Sequence, residues 1–292
     1  MTSTTASTVT IGGDLTVGRI GFGAMQLTGK QVWGEYPDRE GGIALLRAVV
    51  DAGVTFIDTA DVYGPHSNEI LIREALHPYP ENLVIASKGG FVRGGYDYST
   101  LGAVGNPNYL RQSAHMSARR LGVDSIDLYY LHSGQATDVP FEEQITTLAA
   151  LKEEGLIRHI GLSNVSLEQF ELAQTITPIA AATALYNTSI RRGLDLLRAS
   201  EKAGAVFSPW HPMGFHEGGD PERITAALDP VAQEHDATVQ QIALAWHLHR
   251  APNTLPIPGT TSLDHLETNL AAAHIQLSDD EVATITALVP EG

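Results

Sequence analysis

Four polar side chains of different chemistry lie where three consecutive predicted strands end. Asp58 ends a short run of β-branched and aromatic residues, and Tyr63 follows it by five positions. Lys88 and His132 end the next two apolar runs along the chain. Short apolar runs flanked by turn-forming residues are typical of buried strands. A carboxylate, a phenol, an ammonium and an imidazole at such ends indicate a reactive site.

These side chains could together protonate a substrate oxygen. A free tyrosine has a pKa of about 10 and is a weak proton donor at neutral pH. An ammonium about 4 Å away would stabilise the phenolate by roughly 4 kcal/mol at an effective dielectric constant near 20, which equals about three pKa units. We therefore expect Lys88 to lower the pKa of Tyr63 and Asp58 to keep Lys88 charged. His132 would orient the substrate oxygen. Protonation of a developing alkoxide is the proton transfer that carbonyl reduction by hydride requires.

Each of these residues also has an ordinary structural explanation when it is taken alone. Asp58 could bond to the backbone at its strand end, Tyr63 could be a packed surface tyrosine, and His132 could be a satisfied core histidine. Lys88 is harder to explain, because lysine is seldom buried without a partner. Their joint occurrence at strand ends favours a functional site.

The chain alternates predicted strands and helices through eight units. The predicted strands cover residues 20–23, 55–58, 83–87, 125–131, 157–161, 180–185, 205–208 and 254–257. The predicted helices cover residues 42–52, 68–76, 107–121, 141–154, 167–174, 193–203, 221–228 with 238–249, and 262–273. Such alternation indicates a parallel sheet, and eight units in 292 residues predict an α/β fold of the closed (β/α)8 TIM barrel type. An open doubly wound sheet is the main alternative.

The first residues predict a small cap on this barrel. Residues 1–8 have no apolar pattern and are expected to form a disordered tail. Residues 9–20 contain two short β-type runs around a Gly-Gly-Asp turn, which predict an N-terminal β-hairpin over one end of the barrel. No linker divides the remainder, so residues 9–292 are expected to form one domain. Because barrel strands end at a common mouth, this fold would bring the four polar side chains together.

Composition limits the classes of partner and of site. The formal net charge of −16 disfavours non-specific binding to nucleic acid or to an anionic membrane. The absence of cysteine excludes disulfides and thiol nucleophiles. The histidines show no spacing typical of metal ligands, so no metal is expected. Without a signal-peptide pattern or an apolar run of roughly 18 residues, a cytoplasmic protein is expected. The oligomeric state stays open.

Several motifs resemble those of the aldo-keto reductase superfamily, in the same order and across most of the chain. They are Asp58-Thr-Ala-Asp-Val-Tyr-Gly64, Asn68-Glu69, Ala86-Ser-Lys88, Leu131-His132, Gly161-Leu-Ser-Asn164 and Ile257-Pro-Gly-Thr260 with Asn269. Within the superfamily, the sequence is similar to bacterial reductases related to pyridoxal reductase. The resemblance implies NADPH-dependent reduction of a small aldehyde or ketone. Tyr63 would be the general acid, with Lys88 and Asp58 adjusting its pKa and His132 orienting the carbonyl.

The resemblance also implies a cofactor-binding surface. Its residues would be Ala24, Met25, Asp58, Ser163, Asn164, Thr183, Phe207, Ser208, Trp210, Gly259, Thr260, Thr261, His265, Thr268 and Asn269. Ser163 and Asn164 would bond the nicotinamide carboxamide, although they could instead cap the following helix. Phe207 would lie against the nicotinamide ring, or else be a core aromatic. Backbone N–H groups at the start of the last predicted helix would hold a phosphate.

The substrate would meet loop residues at the barrel mouth. The candidate loop residues for substrate binding are Trp33, Tyr96, Tyr98, Trp210 and His211, and Tyr63 and His132 would contact the substrate as well. Aromatic loops suit planar or apolar carbonyl compounds, although about half of these side chains could only pack the loops.

Three positions depart from the family pattern. Thr183 stands where many members have glutamine, His265 where many have an arginine that holds the 2′-phosphate of NADPH, and Thr268 where many have glutamate. The preference between NADPH and NADH therefore stays open. Two other functions are also consistent with the sequence. One is a cofactor-binding regulatory module with little turnover, and the other is an isomerase or aldolase that uses Lys88 as a Schiff base.

Overall fold

A parallel sheet curled into a barrel occupies the centre of the molecule in the computed structural model, which describes residues 7–214 and 220–291. The strands are β1 Thr8–Ile11, β2 Leu15–Gly18, β3 Phe22–Gly23, β4 Phe56–Asp58, β5 Val84–Gly89, β6 Phe91–Arg93, β7 Leu101–Ala103, β8 Ile126–Leu131, β9 Ile157–Ser163, β10 Ala181–Leu185 and β11 Val206–Trp210. The helices are α1 Arg39–Asp51, α2 Ser67–Leu76, α3 Pro107–Leu121, α4 Phe141–Glu153, α5 Leu167–Ile176, α6 Leu194–Ala203, α7 Pro221–Glu234, α8 Val239–Arg250, α9 Leu263–Ala271 and α10 Asp279–Thr286. Short 3-10 turns cover Ala24–Gln26, Lys30–Val32, Tyr98–Thr100 and Ala272–His274.

The central sheet has the topology that the alternating sequence pattern predicts. Within the described ranges, seven strands pair in parallel in the order β11-β10-β9-β8-β5-β4-β3. Each consecutive pair is joined by at least one helix on the outside of the curl, as a parallel connection requires. The (β/α)8 fold class is confirmed, and the open doubly wound alternative is excluded by the way in which the two edge strands are joined.

An extended segment, residues 253–258, joins the edges of the sheet. Leu255 N–H donates to the carbonyl oxygen of Phe207 in β11 at 2.8 Å. On the other side, Gly21 N–H donates to the carbonyl oxygen of Pro256 at 3.0 Å. The predicted eighth strand at residues 254–257 thus lies in its expected place but is not a regular strand. The reason is that Pro256 and Pro258 have no N–H to continue a ladder.

The seam between this segment and β3 brings two backbones unusually close. A Cβ atom on Gly23 would lie 2.7 Å from the carbonyl oxygen of Ile257, and one on Gly259 would lie 2.7 Å from that of Gly23. Glycine at both positions is therefore required for closure of the barrel at its mouth.

Strand residues alternate between the barrel interior and the helical layer. In β4, Phe56 packs inside the barrel with Ala86 and Leu128, whereas its neighbour Ile57 packs outward among residues of α1 and α2 such as Leu46. The side chains of Phe56 and Ile57 are both completely buried. A strand that is buried on both faces is typically a continuous apolar run in the sequence, as residues 55–57 are.

The predicted N-terminal hairpin closes the end of the barrel away from the polar strand ends. It pairs β1 with β2, and its inward side chains Ile11, Leu15 and Val17 belong to the interior cluster. The first strand begins at Thr8, within the predicted tail, while residues 1–6 of that tail lie outside the described residues. The mouth at the opposite end is left for the loops that follow the strands.

A hairpin of two strands and one helix were absent from the sequence-based prediction. Strands β6 and β7 form an antiparallel hairpin in what reads as a long loop after β5. Helix α10 follows the last predicted helix, and it begins with a capping box in which Ser278 and Glu281 bond to each other's backbone N–H groups. The Ser-x-x-Glu spacing is a sequence signal that could have revealed this helix.

A buried arginine, Arg19, bonds to the closing segment at residues 253–258 and to the end of α8 that precedes it. Arg19 is only 3% exposed. Its guanidinium donates to the carbonyl oxygens of Thr254 at 2.9 Å, Ala251 at 2.9 Å and Leu248 at 3.1 Å. Burial lowers the pKa of Arg19 to about 10, so the group stays charged at neutral pH. It therefore satisfies carbonyls that the C-terminal end of α8 leaves without helical partners.

Replacing Arg19 by methionine should lower the free energy of unfolding by about 3 kcal/mol or more, because carbonyl oxygens that accept charge-assisted hydrogen bonds would stay buried without them. Chemical denaturation followed by circular dichroism measures the effect. Arg158→Met is the matched control, since Arg158 is 48% exposed and pairs with Asp14 at the surface. It should cost less than about 1 kcal/mol. Equally small losses in the two variants would contradict this role for Arg19.

Candidate active site

The four polar side chains that end the predicted strands meet in one cavity. Asp58 ends β4, Tyr63 lies in the loop after it, Lys88 lies near the end of β5, and His132 directly follows β8. All of them line a cavity of about 850 Å³ at the barrel mouth. The parallel register explains the meeting, since neighbouring strands place their C-terminal ends at the same level.

Lys88 is the centre of this group. Its side chain is 5% exposed and forms an ion pair with Asp58, whose side chain is also 5% exposed. The ammonium donates to the carbonyl oxygen of Thr59 at 2.8 Å and to the hydroxyl of Tyr63 at 3.4 Å. Burial opposes the charge on Lys88, but Asp58 and Tyr63 outweigh it and raise the pKa of the ammonium. Lys88 is therefore charged and fixed at the base of the cavity.

The pKa of Tyr63 differs from the expectation. Burial raises it, and the opposing effect of the Lys88 charge does not outweigh burial. Asp58 contributes a smaller increase of its own. The expected net lowering by Lys88 is wrong for the free protein, because a phenolate next to an ion pair gains less than it loses by leaving water. The hydroxyl of Tyr63 therefore carries its proton at neutral pH and is available as a donor.

His132 is neutral in this environment. Burial, and then the positive charge of Lys88, hold the pKa of His132 well below its usual range. Its ring lies 6.0 Å from the Tyr63 ring and 4.7 Å from the Phe91 ring, measured between centroids. Its Nδ1 atom has no hydrogen-bond partner among the described residues. A neutral imidazole has one donor and one acceptor nitrogen, so it can bond a neutral carbonyl oxygen without adding charge.

A second set of polar side chains faces the same cavity from β9 and β10. Ser163, Asn164 and Thr183 all line it. Asn164 has a positive φ of 52°, and its amide donates to the Ser163 hydroxyl at 3.0 Å and accepts from the Trp210 indole N–H at 3.1 Å. The cap of the following helix α5 is Ser166, which forms a capping box with its own partner. The helix-capping explanation for Ser163 and Asn164 is therefore wrong.

The two aromatic residues of β11 point in opposite directions. Phe207 is completely buried among the helices, with its ring 5.9 Å from that of Tyr186, and it does not line the cavity. Trp210, three positions later, lines the cavity. Ser208 is buried and bonds to the carbonyl oxygen of Leu255 at 2.8 Å, so it fastens the seam. The core-aromatic explanation of Phe207 agrees with this position, and Trp210 is the aromatic side chain available at the mouth.

The remaining cofactor candidates fall into two groups. Met25 and Gly259 line the cavity. Ala24 is completely buried, and its carbonyl oxygen accepts from Asn68 at 2.9 Å. Residues 260–269 form the entry and first turns of α9, outside the cavity lining. There Thr260 and Asn269 are buried, Thr261 and His265 are exposed, and Thr268 bonds to its own helix.

Helix α9 begins at Leu263, four positions after Gly259, which lines the cavity. Ser262 caps the helix, its hydroxyl accepting from the His265 N–H at 3.4 Å. Thr260 braces this turn through its hydroxyl, which accepts from the Ser262 N–H at 3.0 Å. A helix N-terminus favours negative charge, and a histidine in the first turn can add to it.

A buried polar network between β5 and the helices outside it was not predicted from the sequence. Glu69 is completely buried, accepts from the Ser87 hydroxyl at 2.5 Å and pairs with Arg120 at 2.6 Å. Nearby, Asp61 accepts from the Ser113 hydroxyl at 2.6 Å, and burial raises the pKa of Asp61 to about 7. Asp61 lies two positions before Tyr63, so its hydrogen bond to Ser113 holds the loop that carries Tyr63. Asp61 and Glu69 both belong to motifs that carry the family resemblance, which was the available sequence signal.

The loop candidates for substrate binding are spread over the rim. Tyr98 and His211 line the cavity, Trp33 lies behind them against Arg93, and Tyr96 is 52% exposed. His216, one of the histidines weighed as a metal ligand, lies outside the described residues. Within 7–214 and 220–291, no three His, Asp or Glu side chains are grouped as a metal site. Nor does any helix in those ranges have the length and apolarity needed to cross a membrane.

Comparison with known proteins gives a consistent result. The sequence profile of the Aldo/keto reductase family matches residues 19–290. An uncharacterised oxidoreductase of Schizosaccharomyces pombe is 44% identical over 281 residues, which cover 96% of this chain and 89% of that protein. The pyridoxine 4-dehydrogenase of Escherichia coli is 39% identical over 285 residues, covering 96% and 97% of the two chains.

Solved structures agree with the sequence relatives. A thermostable aldo-keto reductase bound to the inhibitor epalrestat superposes with a TM-score of 0.84 at 29% identity, covering 97% of this chain and 99% of that one. An aldo/keto reductase from Klebsiella pneumoniae, in complex with NADP and acetate, gives a TM-score of 0.79 at 28% identity, with 97% and 95% covered.

Proposed function

The chain belongs to the aldo/keto reductase family, and from that premise we propose that it reduces aldehydes or ketones to alcohols with NADPH as the hydride donor. NADH is the alternative cofactor. The observation that carries the proposal is the contact of Lys88 with both Asp58 and Tyr63 at the base of an open cavity of about 850 Å³. A cavity of that size suits a dinucleotide head and a small substrate together.

The proton step is assigned to Tyr63. Its hydroxyl donates a proton to the carbonyl oxygen as negative charge develops there, and the Lys88 ammonium at 3.4 Å stabilises the phenolate that remains. Asp58 keeps Lys88 in position through the buried ion pair. His132 donates a hydrogen bond to the same carbonyl oxygen and orients it.

The residues present fit a nicotinamide cofactor. Ser163, Asn164 and Thr183 provide hydroxyl and amide groups of the kind that a carboxamide requires, and Trp210 provides an aromatic surface beside them. The N-terminus of α9 provides N–H groups for phosphate. When bound, NADPH supplies the hydride. A related protein of 28% identity is known in complex with NADP, which supports this choice of cofactor.

The substrate class is proposed to be flat aromatic aldehydes. The substrate side of the cavity is lined by the apolar or aromatic Val32, Phe91, Tyr98 and Leu101, with Arg93 among them. The Escherichia coli relative is a pyridoxine 4-dehydrogenase, and an aldehyde on a hydroxylated pyridine ring, such as pyridoxal, fits this lining.

Oxidation of NADPH by a panel of aldehydes tests the proposal. We expect turnover with pyridoxal or benzaldehyde, together with quenching of tryptophan fluorescence when NADPH binds. Tight NADPH binding without turnover of any carbonyl would favour a regulatory module instead. Borohydride trapping of a substrate on Lys88 would indicate Schiff-base chemistry, which the ion pair with Asp58 disfavours because it keeps the amine protonated.

The preference for NADPH over NADH should depend on the side chain at position 265, in the exposed first turn of α9. An arginine is charged at any working pH and can bind a phosphate through two parallel hydrogen bonds. His265→Arg should therefore strengthen NADPH binding, while NADH affinity stays nearly constant.

Fluorescence titration of both cofactors measures this preference. His274→Arg adds the same charge on an exposed turn that follows α9, so it should change neither quantity. A preference for NADPH that is unchanged in His265→Arg would place position 265 away from the phosphate.

A further inference from the structure

A strained turn lies at the substrate side of the cavity mouth. Gln31 and Val32 have positive φ angles of 59° and 55°. This left-handed region is unfavourable for any residue with a Cβ atom, and for a β-branched valine it is a genuine outlier. Val32 nevertheless lines the cavity. Strained backbone persists only where the surroundings hold it, and such strain gathers at functional sites.

One arginine of the unpredicted hairpin holds this turn. Arg93, the last residue of β6, donates from Nη1 to the carbonyl oxygens of Gln31 at 3.0 Å and Val32 at 3.4 Å. Its guanidinium lies 5.3 Å from the centroid of the Trp33 ring and 5.0 Å from that of the Tyr98 ring. The guanidinium therefore contacts both loops of the substrate side through hydrogen bonds and ring contacts.

The same guanidinium also fixes the tip of its own hairpin. Nη2 of Arg93 donates to the carbonyl oxygen of Tyr96 at 2.7 Å, and the N–H of Tyr98 donates to the Gln31 side chain at 3.1 Å. The planar fork of arginine can make these bonds in several directions at once, which a lysine ammonium cannot do while also contacting two rings.

On its other side the strained turn is bonded to the catalytic loop. Gly64, the residue after Tyr63, donates its N–H to the Val32 carbonyl oxygen at 3.2 Å, and its own carbonyl oxygen accepts from the Gly34 N–H at 2.7 Å. The hairpin, the strained turn and the loop that carries the proton donor are thus linked in series, with Arg93 joining the first two.

We propose that Arg93 is a positioning residue for substrate selection, which holds Val32 and Tyr98 as walls for a flat aromatic ring without contacting the cofactor. The inference rests on the proposed function of the same cavity. Arg93 itself lines the cavity, and its contacts lie on the loops before α1 and after β5. Ser163, Asn164 and the start of α9 belong to other elements. Loss of Arg93 should therefore relax the turn and impair large flat substrates more than small ones.

The test compares kcat/KM for 4-nitrobenzaldehyde and for propanal in the wild-type enzyme and in Arg93→Met. We expect a loss of at least about tenfold for the aromatic aldehyde and of less than about threefold for propanal, with the Kd for NADPH unchanged within about twofold. Arg111→Met is the control, since Arg111 is an exposed residue of α3 paired with Glu154 and does not line the cavity. It should leave both substrates unaffected.

Two further variants keep the proposal testable if Arg93→Met folds poorly. Tyr98→Leu removes one ring contact from a side chain that is 47% exposed, and it should lower the aromatic-to-aliphatic ratio in the same direction. Arg93→Lys retains the charge alone and should also lower the ratio. Equal losses for the two aldehydes, a wild-type ratio in Arg93→Lys, or a weakened Kd for NADPH would overturn the proposal. Failure of the wild-type enzyme to reduce either aldehyde would instead overturn the proposed function.

Discussion

Replacing Tyr63 by phenylalanine should lower kcat by about 10² to 10⁴, the range that a general acid contributes. The ring and its packing would be retained, and only the proton donor would be lost. Lys88 keeps its ion pair with Asp58 in this variant, so the buried charge stays compensated and the fold should be unaffected. The Kd for NADPH should change little, because the hydroxyl acts on the substrate oxygen.

Single-turnover kinetics with NADPH and a reactive aldehyde would measure this loss directly. Tyr36→Phe is the control, because Tyr36 packs against α1 outside the cavity. Turnover of Tyr63→Phe within tenfold of the wild-type enzyme would show that another group or water donates the proton.

Replacing Lys88 by methionine should have the second large effect, on both activity and stability. Asp58 would remain buried without its partner, and breaking a buried pair in this way typically destabilises a protein by about 3–5 kcal/mol. Activity should fall by at least the factor expected for Tyr63→Phe, since the phenolate would lose the ammonium that stabilises it.

The double variant Asp58→Asn with Lys88→Met separates the roles of the two residues. If Asp58 acts only through Lys88, the double variant should lose little more activity than Lys88→Met alone, and it should recover part of the lost stability because the unpaired carboxylate is gone. Losses of activity that simply add would show that Asp58 acts elsewhere, for example on the backbone at its strand end.

The strand-end positions were predictable because they depend on local patterns. A short apolar run that ends in a polar residue predicts a strand with that residue at its C-terminal end. In a parallel barrel, the C-terminal ends of all strands lie at the same mouth. Asp58, Lys88 and His132 therefore line the cavity at the ends of β4, β5 and β8 as expected. Their roles in catalysis stay predictions until the variants are measured.

The direction of the Tyr63 pKa shift was not predictable, because it depends on burial. The sequence identifies Lys88 as a charged neighbour of Tyr63, but it does not show how much water surrounds the phenol. Here the effect of burial on the pKa dominates.

The positions of the aromatic side chains of β11 were also not predictable from the sequence. Side chains alternate along a strand, so Phe207 and Trp210, three positions apart, must face opposite sides. Only packing decides that Phe207 faces the helices.

The rim was missed for a different reason. Strands β6 and β7 have three residues each and are partly exposed, so they show no apolar run. The positive φ angles at Gln31 and Val32 run against local preference and are maintained by contacts from Arg93, 61 positions after Val32. Features imposed by distant parts of the chain leave little local signal.

The seam that closes the barrel joins residues that are made early and late in synthesis. The N–H of Gly21 donates to the carbonyl oxygen of Pro256, and the N–H of Gly23 donates to that of Pro258. The first barrel strand can therefore complete its pairing only after a segment some 235 positions later in the chain has been made. Until the ribosome has released residues 253–258, β3 and β11 are both open sheet edges, which are ready templates for pairing with other chains. Growing chains of this protein therefore pass through an interval in which seven strands can be in place without closure. We therefore expect the nascent chain to be more prone to aggregation before the seam has formed than after it.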